Sequence, residues 1–248
     1  MYGVMGKNVA LVLGSGGARG LAHIGAIEAL EARGYTITSI AGCSMGSIIA
    51  GMYAAGELKK AKDWFLQVDK QLILRMMDIN LFSGNSLVKG QKIILELQKV
   101  VPDRPIEQLN IPCTIVASDM MNTEEVLFRT GSLFEAVRAS ISIPLFFQPV
   151  QIGHRLLIDG GILNPLPLHS VERTEGDILV AMDISGKDSM PIGEMPEPID
   201  VDGKIAAIEA KGFDVPEGLE KQLHQLGKKV DEVRTKRAAD LGRTVNFV

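Results

Sequence analysis

Residues 8–13 read Asn-Val-Ala-Leu-Val-Leu, and residues 14–20 follow at once as Gly-Ser-Gly-Gly-Ala-Arg-Gly. A short, continuous apolar run that ends in glycines is typical of a strand buried on both faces, as in parallel sheets. Beyond the glycines, apolar residues recur at three-residue steps between Leu21 and Arg33, and Gly34 is a helix stop signal. The chain therefore begins with a strand, a glycine turn and a helix.

The same unit repeats directly. Residues 36–41 are strand-like, residues 42–46 form a glycine-bounded turn, and residues 47–55 resume a helical, small-residue character. Two consecutive βα units predict an α/β fold with a parallel sheet and right-handed crossovers. Further strands are predicted at residues 113–118, 125–129 and 178–183, and one or two strands, broken at Gly153, at residues 150–158. Helices are predicted at 58–68 and 132–139.

The composition indicates the type of protein and excludes some classes of binding partner. Of the 248 residues, 46% are hydrophobic and 23% charged, which is typical of a folded protein with one main domain. The net charge is −4 and no long run of Lys or Arg occurs, so we expect no nucleic-acid partner. The two cysteines, Cys43 and Cys113, have neither disulfide-framework nor metal-ligand spacing. With no secretory signal and no membrane-spanning apolar run in the sequence, we expect a cytoplasmic protein whose membrane contact, if any, is peripheral.

The turn Gly42-Cys43-Ser44-Met45-Gly46 fits the pattern G-x-S-x-G and lies between a predicted strand and a predicted helix. In that context the glycines permit a sharp turn that lifts the serine hydroxyl clear of the sheet. Ser44 is thereby a candidate nucleophile. The alternative is a small-residue turn that only allows close helix packing.

A serine nucleophile needs donors for the negative charge of its tetrahedral intermediate. The backbone amides of Gly16 and Gly17, with those of Ala18 or Met45, are candidates for such an oxyanion hole, and Arg19 for bracing the loop or adding positive potential. A dinucleotide-binding loop fits poorly, because Arg19 stands where the third glycine belongs and no ribose-binding acid ends the next strand. A plain βα turn remains the alternative.

An aspartate and a histidine are both candidates for the general base that would activate Ser44. Asp159 ends the apolar run 156–158, precedes two glycines, and is followed by a rigid Asn-Pro-Leu-Pro stretch at residues 164–167. A normal aspartate has a pKa of about 3.9, so burial would have to raise its proton affinity. Asp159 with His169 or His224 nominally gives the α/β-hydrolase order, but that fold places several strands before its nucleophile. We favour Asp159 alone, with a simple turn as the alternative without function.

Together, the three motifs resemble the patatin-like phospholipase family, in particular small bacterial members related to the esterase domain of neuropathy target esterase. In that family a glycine-rich oxyanion loop comes first, G-x-S-x-G second and D-G-[GA] last, as they do here. The resemblance covers roughly residues 7–185, and Ser15 is a departure because the family often has Gly there. The matching stretches are residues 14–20, 42–46, 116–119, 136–144, 147–150 and 159–161.

The resemblance implies a patatin-like three-layer α/β/α sandwich around a mainly parallel sheet, with a catalytic domain at residues 1–185. Residues 186–248 are predicted to be a Pro/Gly-rich linker and an amphipathic helical tail. The family uses a dyad in which Ser44 would attack an acyl carbonyl and Asp159 would act as general base. Its substrates are fatty acyl esters of phospholipids and lysophospholipids, and no metal or cofactor is expected.

Several roles stay open between interpretations. A loop-rich cap is predicted at residues 71–88, and its Met76 and Met77, like Phe146 and Phe147, are candidates for lining an acyl-chain groove or for ordinary core. The tail is suited to packing on the core, to forming a homo-oligomer or to lying on a lipid surface. The alternative function is a catalytically weak regulatory or adaptor protein of the same fold that binds a protein partner through this tail.

Overall fold

The computed structural model describes residues 7–68, 90–144, 146–184 and 200–209, with four short stretches between 220 and 232. Met76, Met77 and the rest of the predicted cap lie outside the described residues. So do the predicted linker and most of the predicted tail.

A seven-stranded mixed sheet with a parallel centre forms the middle of the protein. Strands β1 (Lys7–Leu13), β2 (Tyr35–Cys43), β3 (Cys113–Asp119) and β7 (Ile178–Met182) run parallel, in the order β3-β2-β1-β7. Antiparallel strands extend the β3 side. They are β4 (Glu124–Phe128), β5 (Val150–Ile152) and β6 (Arg155–Asp159).

Helices cover the sheet and follow the strands as the βα pattern predicts. Three short 3₁₀ turns join them, at Gly17–Leu21, Ile106–Gln108 and Gly160–Ile162. The helices are α1 (Ala22–Ala32), α2 (Met45–Ala54), α3 (Leu58–Gln67), α4 (Gln91–Val100), α5 (Leu133–Ser140) and α6 (Val201–Glu209). None of them, within the described part of the chain, is long and apolar enough to cross a bilayer.

Strand β1 is buried on both faces, as its continuous apolar run predicts. Val9, Leu11 and Leu13 belong to the main core, which includes buried residues of α1 to α5. The alternate residues Ala10 and Val12 face the opposite side, where they pack with Ala41, Val171 and Leu166. Because both faces are covered, β1 is fixed in register, and the loop after Leu13 leaves the sheet at a defined position.

The neighbours of β3 bring distant parts of the chain together. Strand β2 pairs with residues 113–116 of β3, β4 with 115–119, and β6 with 117–119. Since β4 overlaps both of the others, β2 and β6 must share the opposite edge of β3. One is parallel and the other antiparallel to β3, so their carboxyl ends point at each other, with Cys43 opposite Val116 and Asp159 opposite Ala117.

The predicted fold class is confirmed: the arrangement is an α/β fold that agrees with the three-layer sandwich. Two details differ from the sequence-based expectation. Strand β2 runs two residues beyond Ala41, to Cys43, and α2 begins at Met45, so that Ser44 alone forms the junction. Helix α4 was not predicted, although Ile93, Ile94 and Leu97 recur at helical spacing, and Ile94 and Leu97 are buried.

Candidate active site

Ser44 has a backbone conformation that non-glycine residues rarely adopt. Its φ of 55° and ψ of −125° lie outside the helical and extended regions, which costs on the order of 1–3 kcal/mol. The flanking glycines make the turn sterically possible. A Cβ on Gly42 would collide with the Gly46 carbonyl, and one on Gly46 would collide with the Leu13 carbonyl at the end of β1. The geometry is that of a strained strand-to-helix turn, as found in a nucleophile elbow.

The hydroxyl of Ser44 donates a hydrogen bond directly to the carboxylate of Asp159. The distance between Ser44 Oγ and Asp159 Oδ2 is 2.5 Å, and each residue is only 4% exposed. The other carboxylate oxygen, Oδ1, accepts a bond of 2.7 Å from the amide of Gly161. The carboxylate is therefore oriented at both oxygens, with one of them aimed at the serine proton.

Burial raises the pKa of Asp159 from 3.8 to about 6, because the charged carboxylate loses hydration; the bonds from Ser44 and Gly161 oppose the rise. At pH 7 the group is still largely ionised, and it holds a proton better than an exposed aspartate does. Both properties suit a general base that works near neutral pH.

The glycine loop after β1 packs against the other two motifs. A Cβ on Gly20 would collide with the Met45 side chain, and one on Gly161 would lie 3.0 Å from the Ser15 hydroxyl. The amide of Ser15 donates to the Pro165 carbonyl at 2.8 Å. The three motifs, far apart in sequence, thus form one site at the carboxyl ends of β1 and β2, where parallel α/β sheets bind ligands.

The predicted oxyanion donors are placed at helix starts. Met45 is the first residue of α2 and Gly17 the first of a 3₁₀ turn, so their amides lack partners within those helices. Gly17, with φ of 55°, and Ala18 are exposed. The Arg19 side chain is exposed and makes no hydrogen bond or ion pair with another described residue. Its predicted role in bracing the loop therefore stays a prediction.

His23 contacts this loop, which the sequence analysis did not anticipate. Its ring is fully buried, and Nε2 lies 2.8 Å from the carbonyl oxygen of Gly14. Since a carbonyl only accepts, Nε2 carries the proton. Burial lowers the pKa of His23, which keeps the ring neutral. The signal in the sequence was a polar residue on the buried face of a helix that starts at the glycine loop.

A histidine base has no support in the geometry. All four histidines lie in described parts of the chain, and none bonds to Ser44 or Asp159. His23 is held by Gly14, His154 and His169 are exposed, and His224 Nε2 lies 3.1 Å from an Asp202 carboxylate oxygen.

The two phenylalanines that are candidates for acyl binding differ in their exposure. Phe146 is 49% exposed, whereas Phe147 is half-buried beneath the Arg138 guanidinium, whose carbon lies 5.9 Å from the ring centroid. Both follow Ser142, whose carbonyl accepts a hydrogen bond from the Asp159 amide. The pair thus lies close in sequence to a residue that touches the dyad.

Comparison with known proteins identifies the family of this chain. The family model described as Patatin-like phospholipase matches residues 11–171, which include the glycine loop, Ser44 and Asp159. The chain belongs to the patatin-like phospholipase family. It spans about half the length of the mycobacterial relatives that it matches.

Named relatives of this patatin-like chain come from bacteria and mammals. An uncharacterized NTE family protein of Mycobacterium tuberculosis is 42% identical over 189 residues, covering 76% of this chain and 52% of that protein. Patatin-like phospholipase domain-containing protein 6 of Homo sapiens is 32% identical over 191 residues, covering 74% of this chain and 14% of that protein. A crystal structure of VipD from Legionella pneumophila has a TM-score of 0.48 and 15% identity, covering 70% of this chain and 48% of that one.

Proposed function

We propose that this patatin-like protein is a serine acyl hydrolase that cleaves fatty acyl esters of phospholipids or lysophospholipids through an acyl-enzyme. The observation that carries the proposal is the 2.5 Å bond from the Ser44 hydroxyl to the buried carboxylate of Asp159. A nucleophile in hydrogen-bond reach of a base of raised pKa is the arrangement that acyl transfer requires.

The reaction follows from this bond. As Ser44 Oγ attacks the ester carbonyl carbon, its proton passes to Asp159 Oδ2, and the carbonyl oxygen becomes an oxyanion. The amides of Gly16 and Gly17, with those of Ala18 or Met45, would stabilise that charge. When the intermediate collapses, Asp159 gives the proton to the leaving alcohol, which departs.

Deacylation repeats the sequence with water. Asp159 takes a proton from the attacking water, whose oxygen adds to the acyl-enzyme carbonyl, and then returns the proton to Ser44 as the fatty acid leaves. One carboxylate therefore serves as base and acid in both halves of the cycle.

A lipid substrate is supported by the family and by exposed apolar residues that follow Ser142 in the sequence. Ile143 and Phe146, which follow the dyad contact at Ser142, are 36% and 49% exposed. Exposed apolar side chains next to an ester-cleaving site suit an acyl chain or peripheral contact with a lipid surface. Both cysteines are unpaired and buried, which fits the proposed cytoplasmic location. The match to residues 11–171 falls within the proposed catalytic domain, residues 1–185.

The first test is turnover of p-nitrophenyl esters of medium chain length, together with labelling by a fluorophosphonate probe. We expect both with the natural protein and neither with Ser44→Ala. Ser39→Ala is the matched control, because Ser39 is a buried serine on β2, five residues before Ser44, and its hydroxyl donates to the Glu172 carbonyl. Activity that persists in Ser44→Ala would disprove the proposal.

The second test concerns the substrate class. Phosphatidylcholine vesicles and lysophosphatidylcholine micelles are incubated with the protein, and released fatty acid is measured by mass spectrometry. We expect release from at least one of them that requires Ser44. Turnover of p-nitrophenyl esters without any release from either lipid would leave the dyad standing and refute the lipid substrate.

A further inference from the structure

One serine hydroxyl outside the three motifs holds the backbone of the nucleophile. Ser140, the last residue of α5, accepts a hydrogen bond of 2.9 Å from the amide of Ser44 at its Oγ. The same hydroxyl donates to the carbonyl of Val116, at 2.6 Å. Val116 lies opposite Cys43 in the β2–β3 pairing, so the hydroxyl joins the nucleophile to the neighbouring strand just where β2 ends.

This link is made at the position of highest strain in the elbow. Because φ of Ser44 is 55°, the residue has left the strand geometry that would otherwise satisfy its amide through the ladder. Ser140 is completely buried and Ser44 nearly so, which leaves water no access to replace the bond. The hydroxyl therefore satisfies the Ser44 amide in the conformation in which Ser44 Oγ bonds Asp159.

The segment that carries Ser140 also holds the base. The carbonyl of Ser142 accepts a bond of 2.9 Å from the amide of Asp159. The Ser142 hydroxyl donates to the Arg138 carbonyl and accepts from its guanidinium, which also donates to the Gln148 carbonyl. The end of α5 is thus itself fixed by side-chain bonds, and it contacts the backbones of both Ser44 and Asp159.

We propose that Ser140 is a positioning residue, whose hydroxyl holds the Ser44 backbone so that the nucleophile and Asp159 stay in register. This inference rests on the proposed function. It also assigns the oxyanion donors, because the Ser44 amide is occupied by Ser140 and is not available to an oxyanion. The donors must come from Met45 and the glycine loop.

The test replaces Ser140 with Ala, which removes both bonds, and with Thr, which keeps a hydroxyl. We expect kcat for p-nitrophenyl ester turnover to fall by about 10- to 100-fold in Ser140→Ala with KM changed less than threefold, since a displaced nucleophile affects the chemical step. Ser140→Ala lowers log kcat, and Ser140→Thr should show a decrease at least one third smaller. Ser140→Cys, of nearly the same volume and with a weak acceptor, replaces the alanine variant if that one does not fold.

A second readout separates positioning from general loosening. The hydrogen bond from Ser44 lowers the pKa of Asp159, so a displaced Ser44 should let that pKa rise, as measured by carbon-13 NMR of the carboxyl group. Ser39→Ala is the control, because it removes a buried serine hydroxyl of β2 that bonds the Glu172 carbonyl. It should lower stability without changing the pKa of Asp159 or kcat.

The outcomes distinguish this inference from the proposed function. An unchanged kcat and an unchanged Asp159 pKa in folded Ser140→Ala would overturn the positioning role while the hydrolase survives. A kcat loss equal in Ser140→Ala and Ser39→Ala would also overturn it. If the natural protein has no turnover, the proposed function fails, and the NMR titration still decides whether Ser140 holds Ser44 against Asp159.

Discussion

Replacing Asp159 by Asn should make the protein more stable and inactive. The pKa of Asp159 is about 6 in the folded protein, against an ordinary 3.8, because burial disfavours the carboxylate. Since each unit of pKa is worth 1.36 kcal/mol, ionised Asp159 costs the folded state on the order of 3 kcal/mol. Asn keeps the shape, accepts from the Gly161 amide and removes the buried charge. The natural protein thus loses stability by burying a charge that its proposed activity requires, as many active sites do.

The free energy of unfolding should depend on pH in a definite direction. A folded pKa above the unfolded one means that the native state binds more protons between pH 4 and 6, so natural-protein stability falls as pH rises through this window. The free energy of unfolding, from urea titrations at pH 4 to 7.5, should therefore favour Asp159→Asn by up to about 3 kcal/mol at pH 7.5 and by little at pH 4.

Asp177, an aspartate outside the site, supplies the control of opposite sign. The pKa of Asp177 is lowered, first by its hydrogen bond from Arg173 and then by that from the Thr174 amide. Asp177→Asn should thus be less stable than the natural protein at neutral pH, with the difference disappearing as pH falls through the folded pKa. If Asp159→Asn is destabilised at pH 7.5, or if its advantage does not vary with pH, the reasoning about the buried carboxylate is wrong.

Two more predictions concern packing and thiol chemistry. Gly46→Ala should lower the melting temperature and reduce activity, because its Cβ collides with the Leu13 carbonyl; Gly25→Ala, in open space within α1, should stabilise the protein by up to about 1 kcal/mol. Equal effects of the two substitutions in thermal melts would contradict this. Burial raises the pKa of both thiols, that of Cys113 to about 12, so iodoacetamide at pH 8 should modify Cys43 and Cys113 only in urea. Modification of the native protein, detected by mass spectrometry, would refute that expectation.

The βα units and the dyad candidates could be predicted from the sequence because each depends on a local pattern. The apolar run of β1, the glycines around Ser44 and the turn after Asp159 each have a physical reason that acts within a few residues. Helix α4 was missed although its sequence carries the local pattern of an amphipathic helix, with Ile93, Ile94 and Leu97 recurring at helical spacing.

The geometry that joins the motifs was beyond sequence reasoning. That β2 and β6 meet along one edge of β3 depends on pairings between residues 38 to 73 positions apart. Ser140 is one of several serines in a short stretch, and nothing local distinguishes the one that bonds the Ser44 amide. The contact between His23 and the glycine loop likewise depends on how the loop packs against α1, which no local pattern in the sequence specifies.

The measurement that tests the central claim most directly is the rate of fluorophosphonate labelling across pH 4.5 to 8.5, with the adduct located by peptide mass spectrometry. We predict an adduct on Ser44 whose rate of formation rises through pH of about 6, as Asp159 ionises, to a plateau. In Asp159→Asn the rate should fall to background at every pH. An adduct on another residue, or equally fast labelling of Asp159→Asn, would contradict a Ser44 nucleophile activated by Asp159.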